Sequence, residues 1–345
     1  MGAVKAAIAA VAVSLLLVAP AQSRSDRTEI LFVGAYTRDA TGPSRVLAIR
    51  PDGSGLRVIA ESAASPRWSP DGSAIVHTLL RAVENGGFVP TGLAVVPADG
   101  GSPRWITTGS DYAKAWSPNG RWIAFVRFEN RKQDLYVVRP DGVSLRRLRV
   151  NASWATWAPD SRRLLITTRH GLATIDLTGR VRGVPHSACA GDGAFSPNGN
   201  LIAMSKCIGR RYHTGIAVEQ MDGSHFRWLV RPRGRYGAWN PAWSSDGTRI
   251  AYTLSRDVRP SYLEHTEIRM ISVEGKRLGS LDSFAQDHDE HPAWSPDGTQ
   301  IVFDRDAAVE PIGEADRLFV GDARTGRVRQ LYEGTARGEQ SWRPR

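Results

Sequence analysis

Short apolar runs recur along this chain, each directly after a tight polar cluster. The runs are Ala74-Ile75-Val76, Trp122-Ile123-Ala124-Phe125, Leu164-Leu165-Ile166, Leu201-Ile202-Ala203-Met204, Ile250-Ala251-Tyr252 and Ile301-Val302-Phe303. The clusters before them share one pattern: Trp68-Ser69-Pro70-Asp71-Gly72, Trp116-Ser117-Pro118-Asn119-Gly120, Trp157-Ala158-Pro159-Asp160-Ser161, Phe195-Ser196-Pro197-Asn198-Gly199, Trp243-Ser244-Ser245-Asp246-Gly247 and Trp294-Ser295-Pro296-Asp297-Gly298. A truncated copy, Ser341-Trp342-Arg343-Pro344, ends the chain. The aromatic residues are 38 to 51 positions apart, a period that means a solenoid, an array or a propeller. Pro presets the first turn angle, Asp or Asn closes an Asx-type turn, and Gly takes the left-handed position. Each cluster therefore predicts a hairpin, strand to tight turn to strand.

A second series of turns lies between the first, at Gly53, Gly100, Gly142, Gly179, Gly223, Gly275 and Gly326, each flanked by apolar runs. Each period then holds four short strands, which is a propeller blade. The Trp-Ser-Pro-Asp-Gly pattern followed by an Ile-Ala-Phe-like strand resembles the WD-like repeat of TolB-type β-propellers, also found in the propeller halves of prolyl oligopeptidase-like enzymes. The resemblance covers nearly all of the chain after residue 28 and implies an all-β propeller. Before the first copy, Ile30 to Ala35, Arg45 to Arg50 and Leu56 to Ala60 read as three strands without a motif strand. The C-terminal copy has a motif strand and nothing after it. The expectation is one composite closing blade and seven blades in all, a closure that leaves no open sheet edge at the seam. The six-bladed form of TolB leaves six as the alternative.

Residues 1–21 read as a secretory signal. Lys5 supplies the positive start, Ala6 to Val18 is apolar but short for a span, and Ala19-Pro20-Ala21 fits a small-x-small cleavage site. Residues 22–28 form a short linker, and 29–345 are expected to be a single propeller domain. The expected location is periplasmic or extracellular, with no transmembrane segment in the mature chain. The formal charge is +10, and only five of the 45 basic residues are Lys. Export turns that charge away from nucleic acid and towards anionic envelope polymers or lipid headgroups. No run of five or six like charges occurs, so the Arg residues are expected on a solvated outer face.

Functional residues are sought at the propeller mouth, where the resemblance places the loop before each motif strand. The position three before each aromatic holds Ser65, Ala113, Trp154, Asp192, Asn240, His291 and Glu339. Asp192, Asn240, His291 and Glu339 fall on consecutive blades, and Trp154, Trp239, Tyr112 and Tyr236 add aromatic rings to the rim. Hydrogen-bonding groups beside aromatic faces suit a peptide or a sugar. Acids, an amide and an imidazole around a small opening could hold a divalent cation, although the spacing matches no closed metal motif, so no cofactor is expected. The stretch Asp287-His288-Asp289-Glu290-His291 is expected to be a solvated, turn-capping loop, with ligand contact as its other reading. The repeating Trp residues are expected to pack between blades.

Enzyme motifs are absent from the sequence: no Gly-x-Ser-x-Gly elbow, no His-Glu-x-x-His, no phosphate-binding Gly-rich loop. TolB carries an additional N-terminal α/β domain, whereas this propeller is expected to begin directly after the signal. The function expected is a non-catalytic scaffold that binds a protein or peptide in the cell envelope. Two alternatives remain: a polysaccharide-acting enzyme such as a uronate lyase, with His291, His288 and Glu339 at the mouth, and a passive carbohydrate or envelope-polymer binder using Trp154, Trp239 and surface Arg.

Cys189 and Cys207 are symmetric about the turn at Asn198. Residues facing each other across an antiparallel pair are about 4.5–5.5 Å apart at Cα, within disulfide reach, and export supplies an oxidising environment. A Cys189–Cys207 disulfide is therefore expected, and thiol titration of the unreduced, denatured mature protein should find no free thiol.

Overall fold

The computed structural model describes residues 28–35, 44–84, 87–152, 154–209, 214–234, 236–255, 265–283, 287–307, 317–336 and 340–344. The signal-like segment and Glu339 lie outside the described residues. Strands follow one another through the chain with no helix among the described residues. The first unit opens with β1 (Ile30–Ala35), β2 (Arg45–Ile49) and β3 (Arg57–Ala60). The second unit is β4 (Ala63–Trp68), β5 (Ala74–Ala82), β6 (Phe88–Pro97) and β7 (Arg104–Thr108). The third is β8 (Asp111–Trp116), β9 (Ile123–Glu129), β10 (Lys132–Val138) and β11 (Arg146–Asn151). The fourth is β12 (Ala155–Trp157), β13 (Arg163–Thr168), β14 (Gly171–Asp176) and β15 (Val181–Gly183). The fifth is β16 (Gly193–Phe195), β17 (Leu201–Cys207), β18 (Thr214–Gln220) and β19 (Arg227–Val230). The sixth is β20 (Gly237–Trp243), β21 (Arg249–Ser255), β22 (Thr266–Ser272) and β23 (Arg277–Ser280). The seventh is β24 (Asp287–Trp294), β25 (Gln300–Ala307), β26 (Arg317–Asp322) and β27 (Val328–Tyr332), followed by β28 (Thr335–Ala336) and β29 (Ser341–Trp342).

Within each unit the strands pair antiparallel in chain order. The sixth and seventh units share one sheet through a single parallel bridge, Thr266 to His288. The turns obey the chemistry read from the sequence. Ser69 Oγ donates to Asp71 Oδ1 at 2.6 Å and accepts from the Ala74 N–H at 2.9 Å, so one hydroxyl closes the turn and starts the next strand. Ser117, Ser196, Ser244 and Ser295 repeat this arrangement. In the fourth unit Ser161 stands in the glycine place and takes its left-handed backbone, φ 59.

The apolar runs read as near-continuous because both faces of each second strand are covered. Side chains alternate along a strand, so neighbours point to opposite units. On β9, Ile123 and Phe125 pack towards the second unit, while Ala124 and Val126 pack towards the fourth. On β25, Ile301 and Phe303 join the sixth unit, while Val302 joins the first. Seven apolar clusters arise this way, and each spans two adjacent units, the last and first included.

The repeated Trp adds a directional bond to this packing. Each indole N–H donates to the carbonyl just before the aromatic residue of the preceding unit. The pairs are Trp116 to Arg67 (3.1 Å), Trp157 to Ala115 (3.2 Å), Trp243 to Ala194 (3.0 Å), Trp294 to Ala242 (3.1 Å) and Trp342 to Ala293 (2.9 Å). Phe195 breaks the series because its ring has no N–H, and the buried Trp68 indole N–H has no partner among the described residues.

The two chain ends meet on β1. Trp342 pairs with Ile30 and Ser341 with Leu31, while β28 pairs with the other end of β1 through Gly34 and Ala35. The close approach needs Gly34: a Cβ there would stand 2.8 Å from Leu47 Cδ1 and 3.1 Å from Thr335 O. Arg343 reinforces the closure. Its N–H donates to Glu29 O (2.7 Å), its guanidinium pairs with Glu29 (2.9 Å), and its Nε donates to Gly72 O (2.9 Å).

Cys189 and Cys207 are joined as a disulfide, with Cα atoms 5.8 Å apart. They sit one residue off the ladder, in which Gly193 faces Met204 and Phe195 faces Ile202. Cys189 adopts a left-handed φ of 64 where the chain turns before β16, and this swings it opposite Cys207.

Truncating the closing Trp342, which is 7% exposed, should cost about 3–5 kcal/mol of stability in chemical denaturation of Trp342→Ala. The same change at Trp105, which is 60% exposed, should stay within about 0.5 kcal/mol. Equal effects at the two sites would show that the closing strand holds nothing together.

Candidate functional site

The position three before each motif aromatic is a distinct backbone site. Ladder register slips there in four units: between Ala64 and Arg67, Ala113 and Ala115, Trp239 and Ala242, and Glu290 and Ala293. Ser65, Asn240 and His291 take left-handed φ values of 48, 52 and 52 at these slips. A bulge of this kind turns a side chain away from the direction that alternation would give it. For a residue with a Cβ it costs about 1–3 kcal/mol, which the surrounding structure must hold.

The structure brings Asp192, Asn240 and His291 together. Burial pushes the Asp192 carboxyl above the ordinary carboxylate range. The Ser205 hydroxyl, the Asn240 backbone N–H and the charge of His291 all pull the other way. Asp192 is itself half-buried, so one side is open while protein displaces water on the others. His291 Nδ1 lies 3.1 and 3.2 Å from the two carboxylate oxygens of Asp304. The Asp304 side chain is 6% exposed and that of His291 is 48% exposed, so a buried carboxylate orients an accessible imidazole. Gln340 Nε2 fixes the arrangement from the first unit, donating to His291 O at 2.6 Å and to Asp304 Oδ1 at 2.9 Å.

Trp239 joins through Glu290. Burial raises the Glu290 carboxyl, His291 lowers it, Asp304 raises it, and a hydrogen bond with Trp239 lowers it. The constellation therefore draws on the fifth, sixth, seventh and first units. Trp154 is half-buried against the apolar cluster between the fourth and fifth units. Tyr112 packs edge-on against Phe128 (5.5 Å), and Tyr236 lines a groove on the outer wall.

The stretch Asp287-His288-Asp289-Glu290-His291 is strand, not the solvated loop expected from its composition. Alternation separates its charges. Asp287 and Asp289 turn onto Arg305, whose Nη1 is 3.0 Å from Asp287 and whose Nε is 2.6 Å from Asp289. That guanidinium also lies over the rings of Phe303 (5.4 Å) and Phe319 (4.8 Å). The third unit repeats the device, with Arg127 on Asp111 (2.6 Å) over Phe125 and Tyr136. These acids are committed to the fold; Glu290 and His291 are left to the site.

Sequence reasoning missed Asp304, Ser205 and Gln340. A signal for two of them exists: ten residues after each motif aromatic come Thr78, Val126, Thr167, Ser205, Thr253 and Asp304, a mainly polar series on the second strands. Among the described residues no three His, Cys, Asp or Glu side chains stand close enough to share a metal ion; His291 and Asp304 offer two donors.

The fold is that of a β-propeller, and the comparisons with known proteins agree. No protein-family profile matches the chain. Its structure is similar to TolB from Acinetobacter baumannii, with a TM-score of 0.56 at 15% identity, covering 92% of this chain and 67% of that one. It is also similar to an oligogalacturonate lyase in complex with manganese, with a TM-score of 0.58 at 15% identity, covering 88% of this chain and 84% of that one. These likenesses are of fold. In sequence the chain is 27% identical over 251 residues to dipeptidyl-peptidase 5 of Porphyromonas gingivalis, a stretch that is 64% of this chain and 34% of that protein. The match thus spans about a third of that relative's length. No helix of the described residues is long and apolar enough to cross a membrane.

The raised carboxyls make a pH prediction with a definite sign. A carboxyl lifted in the native state contributes its stability in full below the ordinary value of 3.8 for Asp, and loses it as pH rises through the lifted native value. The turn aspartates act oppositely. Burial would raise Asp246, yet Ser244, Thr248 and Arg249 hold it down to about 2, so its contribution is lost only as pH falls towards that value. Asp192→Asn removes one raised group and leaves the turns alone. Its stability relative to the parent protein should therefore improve as pH rises above about 4 in urea denaturation; a difference that stays flat with pH would contradict the placement of Asp192.

Proposed function

We propose that this chain is an exported β-propeller, its seven units acting as blades, that serves as a non-catalytic scaffold for a protein or peptide segment in the cell envelope. Residues 1–21 act as the export signal and 29–345 as the propeller domain. The observation that carries the reading is the constellation of Asp192, Asn240, Trp239, Glu290 and His291, assembled from separate units and held by Asp304 and Gln340. Carboxylates, an amide and an imidazole beside an indole suit backbone amides and basic side chains of an extended segment. Binding groups set on a rigid scaffold lose little freedom when a partner docks. The fold likeness to TolB supports a protein partner. Passive binding of an envelope polymer through Trp154, Trp239 and surface Arg draws less support, because Trp154 is half-buried against an apolar cluster.

A second reading rests on one observation, the accessible His291 imidazole oriented by the buried Asp304 carboxylate. This is the geometry of a general base, and a structurally similar protein is an oligogalacturonate lyase with manganese. Under this reading His291, with His288 and Glu339, would serve a polysaccharide-acting enzyme.

Crosslinking of the mature protein in its own envelope extract, read by mass spectrometry, separates the two. The scaffold reading expects a near-stoichiometric protein partner that Trp239→Ala and Asn240→Ala reduce about tenfold or more. Polygalacturonate cleavage with unsaturated ends, lost in His291→Ala, would replace it with the enzyme reading.

A further inference from the structure

Away from the channel, a groove of about 660 Å³ runs along the outer wall between the fifth and sixth units. Tyr252, Leu254 and Ile271 form its floor, and they belong to the apolar cluster that joins these two units. The outer strand β19 forms one wall. Its residues Arg227 to Val230 are all half-buried, so the Trp228-Leu229-Val230 run is apolar without being sealed. The corresponding outer strand of the fourth unit, β15, is short and exposed along its length.

Four guanidiniums stand over this apolar floor, and among the described residues no carboxylate lines the groove. Arg269 is held by Glu267 at 2.8 Å. The side chains of Arg231, Arg233 and Arg277 belong to exposed residues and make no hydrogen bond or ion pair with a described residue. Tyr236, 47% exposed, adds a ring to the same groove.

The geometry points to a binding site for a small organic anion with an apolar body: an aromatic or aliphatic carboxylate, sulfonate or phosphate ester. The volume lies in the range of about 300–1,000 Å³ typical of small-molecule sites. A bare inorganic anion would engage the guanidiniums and leave the apolar floor wet. A neutral sugar would leave the charges unanswered, and a divalent cation would be repelled. An amphiphilic anion satisfies both parts, because guanidinium pairs with planar or tetrahedral oxyanions and also stacks on rings. The site is independent of the channel constellation and of any partner bound there.

The test uses anilinonaphthalene sulfonate as the aromatic probe, followed by fluorescence and calorimetry, with decanoate and inorganic phosphate as competitors. One saturable site is expected. Decanoate should displace the probe and phosphate should not. Arg231→Gln with Arg277→Gln should weaken binding about tenfold per charge removed, at unchanged thermal stability since both side chains are exposed. Asn240→Ala in the channel should leave the affinity unchanged. Probe affinity unaffected by the double substitution would overturn the proposal. So would displacement by phosphate as effective as by decanoate, or probe uptake without saturation.

Discussion

Every unit of this protein depends on its neighbour because no single four-stranded sheet can cover both of its own apolar faces. Alternation sends Phe125 to one side of its sheet and Val126 to the other. Burial of both is met only when sheets stand on each side, all the way round. The indole N–H of five of the repeated Trp residues then turns general apolar contact into a set distance. It must reach a backbone carbonyl of the preceding unit while its ring lies in the interface. The hydrophobic contribution is the larger of the two, at about 1.5–3 kcal/mol per buried side chain against about 1 kcal/mol net for a hydrogen bond. The bond contributes the register.

Closure follows from the same need. If the ring were open, Ile30, Phe32 and Leu47 on one side and Val302 and Leu318 on the other would face water. The C-terminal strand supplies Trp342 to β1, and Arg343 ties Glu29 to the turn carbonyl of Gly72. Residues more than 300 positions apart therefore share one hydrogen-bond network, and the first unit is complete only with the C-terminal strand. The Cys189–Cys207 bridge is a local brace by comparison, bordering the hairpin that carries Asp192.

The channel constellation exists because the ring is rigid enough to hold strained backbone. Asn240 and His291 keep left-handed conformations that an isolated strand would release. Charge is divided in a similar way. In a chain with a formal excess of ten positive charges, carboxylates gather beside His291, while three arginine side chains with no partner among the described residues lie on the outer wall above the groove between the fifth and sixth units. As proposed, the two surfaces would take ligands of opposite character, basic or hydrogen-bonding segments at the constellation and organic anions on the side.

Much of the fold was legible in the residues. Local turn chemistry is short-ranged, so Ser69, Asp71 and Gly72 act as their spacing says, and Ser161 replaces glycine without altering the turn. The strands Ile30–Ala35 and Arg45–Ile49 stand where the apolar pattern put them, and the C-terminal copy joins them. Counting back from each aromatic residue found Asp192, Asn240 and His291, because a repeat keeps its offsets from unit to unit. The aspartates and histidines of residues 287–291 misled, since composition suggests solvent whereas Arg305, brought opposite by strand pairing, makes burial of Asp287 and Asp289 tolerable. Asp304 lies in the same unit as His291, but which side chain across the hairpin meets the imidazole depends on the bulge at His291, and Gln340 comes from another unit, so neither was legible as its partner. The sequence by itself determined the units, their turns and the residues on each inner strand, all matters of neighbours along the chain. Only the tertiary structure decided which acids are paired, which histidine is oriented and where the arginines meet an apolar floor, because each depends on side chains that strand pairing or unit packing brings together from separate stretches of the chain.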